Sequence, residues 1–308
     1  MKNKLLFVYT GIILAMVFWA LSFVWFKMAN EYYPPVTIVM TRLILSAVLL
    51  FIFTKATGTL QVLQKKDRWA IVLLTLFNPF LYFIGESYGL TYVSSTTGAV
   101  IISTIPIFTP FAAHYFLHER LSRMNYLGMF LSFAGVLLIL YHPGEWAASW
   151  KGLLFLLFAV FCAVSYTILL TKLSFRYNAL SLITWQNALG ALLFIPLFLW
   201  LDLPSFPSPA WSWQHFKPVL ELAVFASSFA FVFFAIGIIH IGAARTNIFS
   251  NIIPVFTALF AFFMLAEPLT LQKMAGILIV IAGLFLSQTK ATFFKKVVNR
   301  ISGIPYQE

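Results

Sequence analysis

The chain has 308 residues, of which 61% are hydrophobic and 9% charged, with 35 phenylalanines. No soluble domain of this length stays dissolved with that balance, so the solvent is lipid and almost nothing is left over for a soluble domain. The formal net charge of +11 does not mark a nucleic-acid partner, because the basic residues sort by side of a membrane instead of forming one face.

A hydrocarbon core of about 30 Å needs roughly 20 apolar residues per helix. Ten such helices are predicted, over 5–27, 36–54, 69–88, 93–116, 124–141, 152–171, 180–201, 217–238, 243–265 and 273–289. The first begins like a signal peptide, but its apolar part is too long and no small-residue cleavage site follows, so it is read as a retained helix. It carries Trp19, a candidate aromatic wall for a cavity.

The second and third helices carry Arg42 and Glu86. Intramembrane charge costs at least a few kcal/mol, so each residue needs a reason to be there. The second helix runs inward and the third outward, which places both side chains in the outer third of the membrane, where they could pair. Four roles follow: a structural ion pair, snorkelling to the interface, a gate at the outer mouth, or contact with a zwitterionic substrate. Asn78, Tyr82 and Glu86 recur at four-residue spacing, a polar stripe that must face protein or water.

The fourth helix contains "STIPIFTP" and the ninth "SNIIPVFTAL". Pro106 and Pro254 each remove a backbone hydrogen bond and bend the helix, which is tolerated where neighbours or a wet cavity satisfy the freed carbonyl. Ala99, Ser103, Pro106 and Pro110 share one face of the fourth helix; Asn247, Asn251, Pro254 and Ala258 share the equivalent face of the ninth. Ser103, Asn247 and Asn251 are therefore the favoured polar contacts. The alternative is that the prolines curve packed helices and the asparagines bond between them.

In the second half, Tyr166 of the sixth helix is a further aromatic wall. Trp185, Gln186 and Asn187 lie together in the seventh, and Ser227 and Ser228 give the eighth a polar point at mid-depth. The single cysteine, Cys162, allows no intramolecular disulfide and reads as a small buried hydrophobe. His114 and His118 have metal-ligand spacing but no third ligand, and no Gly-rich phosphate loop or nucleophile elbow is present. No metal, cofactor or enzymatic activity is expected.

With the N-terminus inside, fifteen basic residues fall on the inner side, and only Lys27, Lys151, Lys217 and Lys273 fall outside. Both termini are then cytoplasmic, with the basic tail 290–308 against anionic headgroups.

The chain also repeats. "GLTYVSSTTGAVIISTIPIFT" aligns with "GIIHIGAARTNIFSNIIPVFT" at a shift of 148, placing Pro106 on Pro254, Glu119 on Glu267, Gly128 on Gly276 and Gly135 on Gly283. At a slightly smaller shift Arg42 falls on Gln186. The halves are 1–145 and 146–289. Five helices per copy is an odd number, so the second copy enters the membrane from the opposite side, the inverted-repeat architecture of secondary transporters.

"WALSFVWFK", "GLTYVSSTTGAVIISTIPIFTPFAAHYFLHERLS" and "GMFLSFAGVLLIL", the last repeated as "AGILIVIAGLFLS", resemble the duplicated EamA domain of the drug/metabolite transporter superfamily, and among its members the aromatic amino acid exporters of the YddG type. The resemblance implies an all-α integral membrane protein. Its ten transmembrane helices would form two inverted five-helix repeats, with helices three, four, eight and nine, plus one and six, around a central cavity.

The expected function is export of a small organic metabolite, an amino acid or a related amphipathic solute, across the bacterial inner membrane by alternating access. The expected partners are that solute and the bilayer. Two alternatives stay open: a proton-coupled multidrug exchanger, with Glu86 as the carrier, and a membrane-embedded lipid-modifying enzyme.

Overall fold

In lipid every backbone N–H and C=O must be satisfied within the chain, so apolar runs of this length become helices. The computed structural model describes residues 2–118, 122–140, 150–203, 212–266, 268 and 270–288, and all regular structure among them is helical. In chain order the helical segments are α1 (Lys2–Asn30), α2 (Pro35–Ala56), α3 (Lys65–Tyr92), α4 (Ser95–Leu117), α5 (Arg123–Leu140), α6 (Trp150–Ser174), α7 (Ala179–Asp202), α8 (Trp213–Ile241), α9 (Ala243–Leu265) and α10 (Leu271–Gln288). Eight of these described segments, all except α5 and α10, are long and apolar enough to cross a membrane. Glu119, Glu267 and the tail 290–308 lie outside the described residues.

Four segments are broken. In α3 the regular helix runs to Thr75 and is followed by a wide π-type turn over Leu76–Leu81, where Asn78 is extended at φ −150°, ψ 122° ahead of Pro79. In α8 a π-type stretch runs over Leu222–Ala230. In α4 the helix stops at Ile102 and restarts at Ile105. In α9 a 3₁₀ turn, Phe249–Ile252, separates the halves. Pro106 and Pro254 each sit in the first turn of the restarted helix, where their missing N–H costs nothing. Hydroxyls bond to carbonyls at these breaks: Ser103 donates to Val100 O at 2.7 Å, Thr104 to Ile101 O at 2.8 Å and Ser250 to Asn247 O at 2.7 Å.

Lipid gives no hydrophobic drive for helices to associate, so close approach and polar bonds must do it. α5 packs on α10 through small residues. A Cβ added at Gly283 would lie 2.4 Å from Ser132 N and 2.6 Å from Gly128 O, and one at Gly135 would lie 2.7 Å from Gly276 O. Elsewhere α1 packs on α8 and α9, α6 on α3 and α4, and α2 on α7.

The α2–α7 pair is clasped at both ends. At one end Asp202 Oδ2 accepts from the Thr37 backbone N and hydroxyl, both at 2.7 Å, placing a carboxylate on the N-terminus of α2. At the other, the segment after α2 meets the start of α7. Gln61 N donates to Ser181 Oγ at 2.8 Å, Asn178 Nδ2 to Thr59 O at 2.9 Å, and Asp67 pairs with Arg176 and accepts from the Tyr177 hydroxyl at 3.0 Å. Burial, helped by Asp67, pushes the Tyr177 phenol above its usual range.

Candidate functional site

The breaks in α3, α4 and α9 border a cavity with about 50 Å³ of free space. It is lined by residues of α1, α2, α3, α4, α6, α8 and α9. The resemblance implied six of these helices; α2 is added because it carries Arg42 into the wall.

Polar residues from both halves line the cavity: Ser22, Arg42, Asn78, Tyr82 and Glu86 from the first, Tyr166, Thr167, Asn247 and Ser250 from the second. Arg42, 2% exposed, donates from Nε to Ser227 Oγ at 2.7 Å, and its guanidinium carbon stands 4.4 Å from the Phe83 ring centroid. Glu86 accepts from the Tyr82 hydroxyl at 2.7 Å. The Arg42–Glu86 ion pair allowed for in the sequence does not form, whereas Asp67–Arg176 and Lys217–Glu221 pair. Arg42 and Glu86 are tethered elsewhere, Arg42 to the π-type stretch of α8 and Glu86 to its neighbour one turn back.

Aromatic rings line the same cavity. Trp19 meets Phe231 and Phe234 at centroid distances of 5.2 and 5.0 Å, and its indole N–H donates to Ala226 O at 3.3 Å, in the π-type stretch of α8. Tyr166 lines the cavity, packs edge-on against Phe231 at 6.2 Å and donates its hydroxyl to Gln186 Oε1 at 2.9 Å.

The structure brings Trp19, Arg42, Asn78, Tyr82, Glu86, Tyr166 and Asn247 to one cavity and leaves four candidates out of it. Ser103 is spent on the Val100 carbonyl. Asn251 is buried beside the 3₁₀ turn. Trp185 donates to Gln61 O at 3.0 Å and belongs to the α2–α7 clasp. Gln186 reaches the cavity only through Tyr166. The shared faces drawn for α4 and α9 assumed unbroken helices. A 3₁₀ turn rotates each residue about 120° instead of 100°, so over four residues a face drifts by about 80°.

Sequence reasoning missed the network behind Arg42. Asn187 Nδ2 donates to Ser46 Oγ at 2.7 Å and to Ser227 O at 2.8 Å, and Ser46 and Ser228 share a 2.7 Å bond. Ser46 lies four residues after Arg42 on α2, and that spacing was the available signal. Among the described residues no cluster could hold a metal ion.

Comparison with known proteins follows the same outline. The sequence pattern of the EamA-like transporter family matches residues 6–141 and again 150–289. An uncharacterised transporter of Archaeoglobus fulgidus is 27% identical over 277 residues, spanning 89% of this chain and 95% of that protein. The uncharacterised transporter YetK of Bacillus subtilis is 27% identical over 252 residues, spanning 80% of this chain and 76% of that protein. A protein of known crystal structure superposes with a TM-score of 0.73 at 15% identity, over 93% of this chain and 97% of that one, a likeness of fold alone.

Proposed function

The chain belongs to the EamA-like transporter family and is a multi-pass membrane transporter, not an enzyme; on that premise we propose that it exports a small amphipathic metabolite of the amino-acid kind through the central cavity. The observation that carries this reading is the cavity itself, buried among seven helical segments from both halves of the chain and lined by aromatic rings together with Arg42, Tyr82 and Glu86. Its free space has room for roughly three to five waters, so a solute enters only when the walls part, as alternating access requires. A phosphate ester would call for several inward cations, and Arg42 is the one cation lining the cavity among the described residues.

We read the chain as ten spans in two inverted halves, 1–145 and 146–289, in a bacterial inner membrane with both termini cytoplasmic. Three features support this. Left-handed residues end α4 at His118 and α9 at Ala266, 148 positions apart. The widened turns of α3 and α8 and the breaks of α4 and α9 fall at matching positions. The packing of α1 on α8 and α9 is echoed by that of α6 on α3 and α4.

The test is counterflow in proteoliposomes containing only this protein, preloaded in turn with amino acids and other small metabolites. Accumulation of a labelled solute without ATP is expected; silence across the panel from protein shown to be folded and inserted would overturn the reading. A second reading, exchange of solute for protons, is favoured by one observation, the Glu86 carboxylate in the cavity wall. It requires Glu86→Gln to abolish pH-gradient-driven uptake while counterflow persists.

A further inference from the structure

The following inference rests on the transport reading and deepens it. Arg42 and Glu86 are 2% and 9% exposed and line the same cavity, yet they do not close into an ion pair. Opposite charges in a poorly screened interior attract strongly, so a gap between them persists only where each is held back.

Both are held back, and each tether leaves part of the charged group without a hydrogen bond. Arg42 is drawn aside through Nε by Ser227 and through its face by Phe83. Ser227 is fixed in turn by Asn187, which holds its carbonyl at 2.8 Å. Glu86 is held through Oε1 by Tyr82. The two Nη atoms of Arg42 and Oε2 of Glu86 have no hydrogen-bond partner among the described residues. Asn78, 3% exposed, lines the cavity one turn before Tyr82 and leaves Oδ1 buried and unpartnered. A buried amide oxygen without a donor is costly, and such groups in native structures call for an explanation.

These atoms sort by role. The Nη atoms are donors only; Oε2 and the Asn78 oxygen are acceptors. Trp19 and Phe234 line the same cavity, their ring centroids 5.0 Å apart.

We propose that the gap is a zwitterion slot, in which the Arg42 Nη atoms take the carboxylate of the solute, Glu86 Oε2 and Asn78 Oδ1 take its ammonium group, and the apolar remainder lies against Trp19 and Phe234. Charge-assisted, preorganised bonds at both ends make loss of either end expensive. A simple cation or a simple anion fills half of the slot and leaves the other charge buried without a partner.

The experiment uses purified full-length protein and two sets of three probes. One set has a phenyl body: phenylalanine, 3-phenylpropanoate without the ammonium group and phenethylamine without the carboxylate. The other has a propyl body: norvaline, pentanoate and butylamine. Binding is read from the rise in melting temperature with ligand concentration. Within at least one set the zwitterion should bind at least about tenfold more tightly than either truncated probe.

Glu86→Gln and Asn78→Leu should weaken the zwitterion and the amine but not the carboxylate. Arg42→Gln should weaken the zwitterion and the carboxylate but not the amine. A misfolded variant loses all three probes, so only this crosswise pattern supports the slot. Equal binding within both sets, no response to either set, or a loss that does not follow the missing charge would overturn it.

The transport reading fails separately. Counterflow of a solute that is not a zwitterion leaves the transporter standing and refutes the slot. A crosswise binding pattern with no counterflow of any solute leaves the slot standing and refutes transport.

Discussion

Replacing Ser227 with alanine tests the tether that keeps Arg42 in place. The Ser227 hydroxyl accepts from Arg42 Nε at 2.7 Å with both residues buried. A hydrogen bond to a charged group contributes about 1.5–3 kcal/mol, and a buried donor left without a partner loses that and retains its desolvation cost. Ser227→Ala should therefore destabilise the protein by about 2 kcal/mol. In an Arg42→Met background the guanidinium is gone, and the same substitution should cost less than about 1 kcal/mol. A double-mutant cycle from reversible unfolding in detergent isolates the difference, an expected coupling of about 1–2 kcal/mol. If the two single changes add to the double within about 0.5 kcal/mol, the bond does not position Arg42 and the account of its orientation is wrong.

Four further outcomes follow from the packing and the site. Gly283→Ala drives a Cβ into the backbone of α5 and should cost about 1–3 kcal/mol, seen as a drop in melting temperature. Gly58→Ala, with nothing within 4 Å but a φ of 65°, should cost only about 1–2 kcal/mol of backbone strain, and its extra methyl should meet no neighbour. Asp202→Ala removes both bonds to the α2 N-terminus and should lower stability by about 2–3 kcal/mol, whereas Thr37→Val removes one and should cost about 1 kcal/mol; equal melting temperatures would show that the clasp contributes nothing. In transport assays Ser103→Ala should leave uptake near wild type, because its hydroxyl serves the Val100 carbonyl. Asn247→Leu, in the cavity wall, should lower uptake several-fold, and the reverse order would move the site toward the α4 break.

Local properties of the chain made much of this protein legible without coordinates. Hydropathy is carried by each segment alone, so every predicted span coincides with a helical segment to within a few residues at its ends. The positions of Pro106 and Pro254 are likewise local, and they mark where α4 and α9 restart. A stripe spaced by four, Asn78, Tyr82 and Glu86, was readable as facing protein or water because lipid would exclude it, and all three residues line the cavity.

What the sequence by itself determined, then, is a membrane-embedded helical chain with an internal repeat and a short list of polar residues that lipid would exclude. Only the tertiary structure decided which of them face the cavity. A serine or threonine in a helix has a carbonyl three or four residues back competing for its hydroxyl, and nothing in the sequence tells Ser103, which turned to it, from Ser227, which holds Arg42. Helical faces drawn with one period fail across a 3₁₀ or π-type turn. Whether Arg42 and Glu86 meet depends on tethers from α3 and α8, and Ser227 lies 185 residues from Arg42 along the chain. That separation places the decision in the packing of helices, where a side chain's partner is set by distance in space and not by order in the sequence.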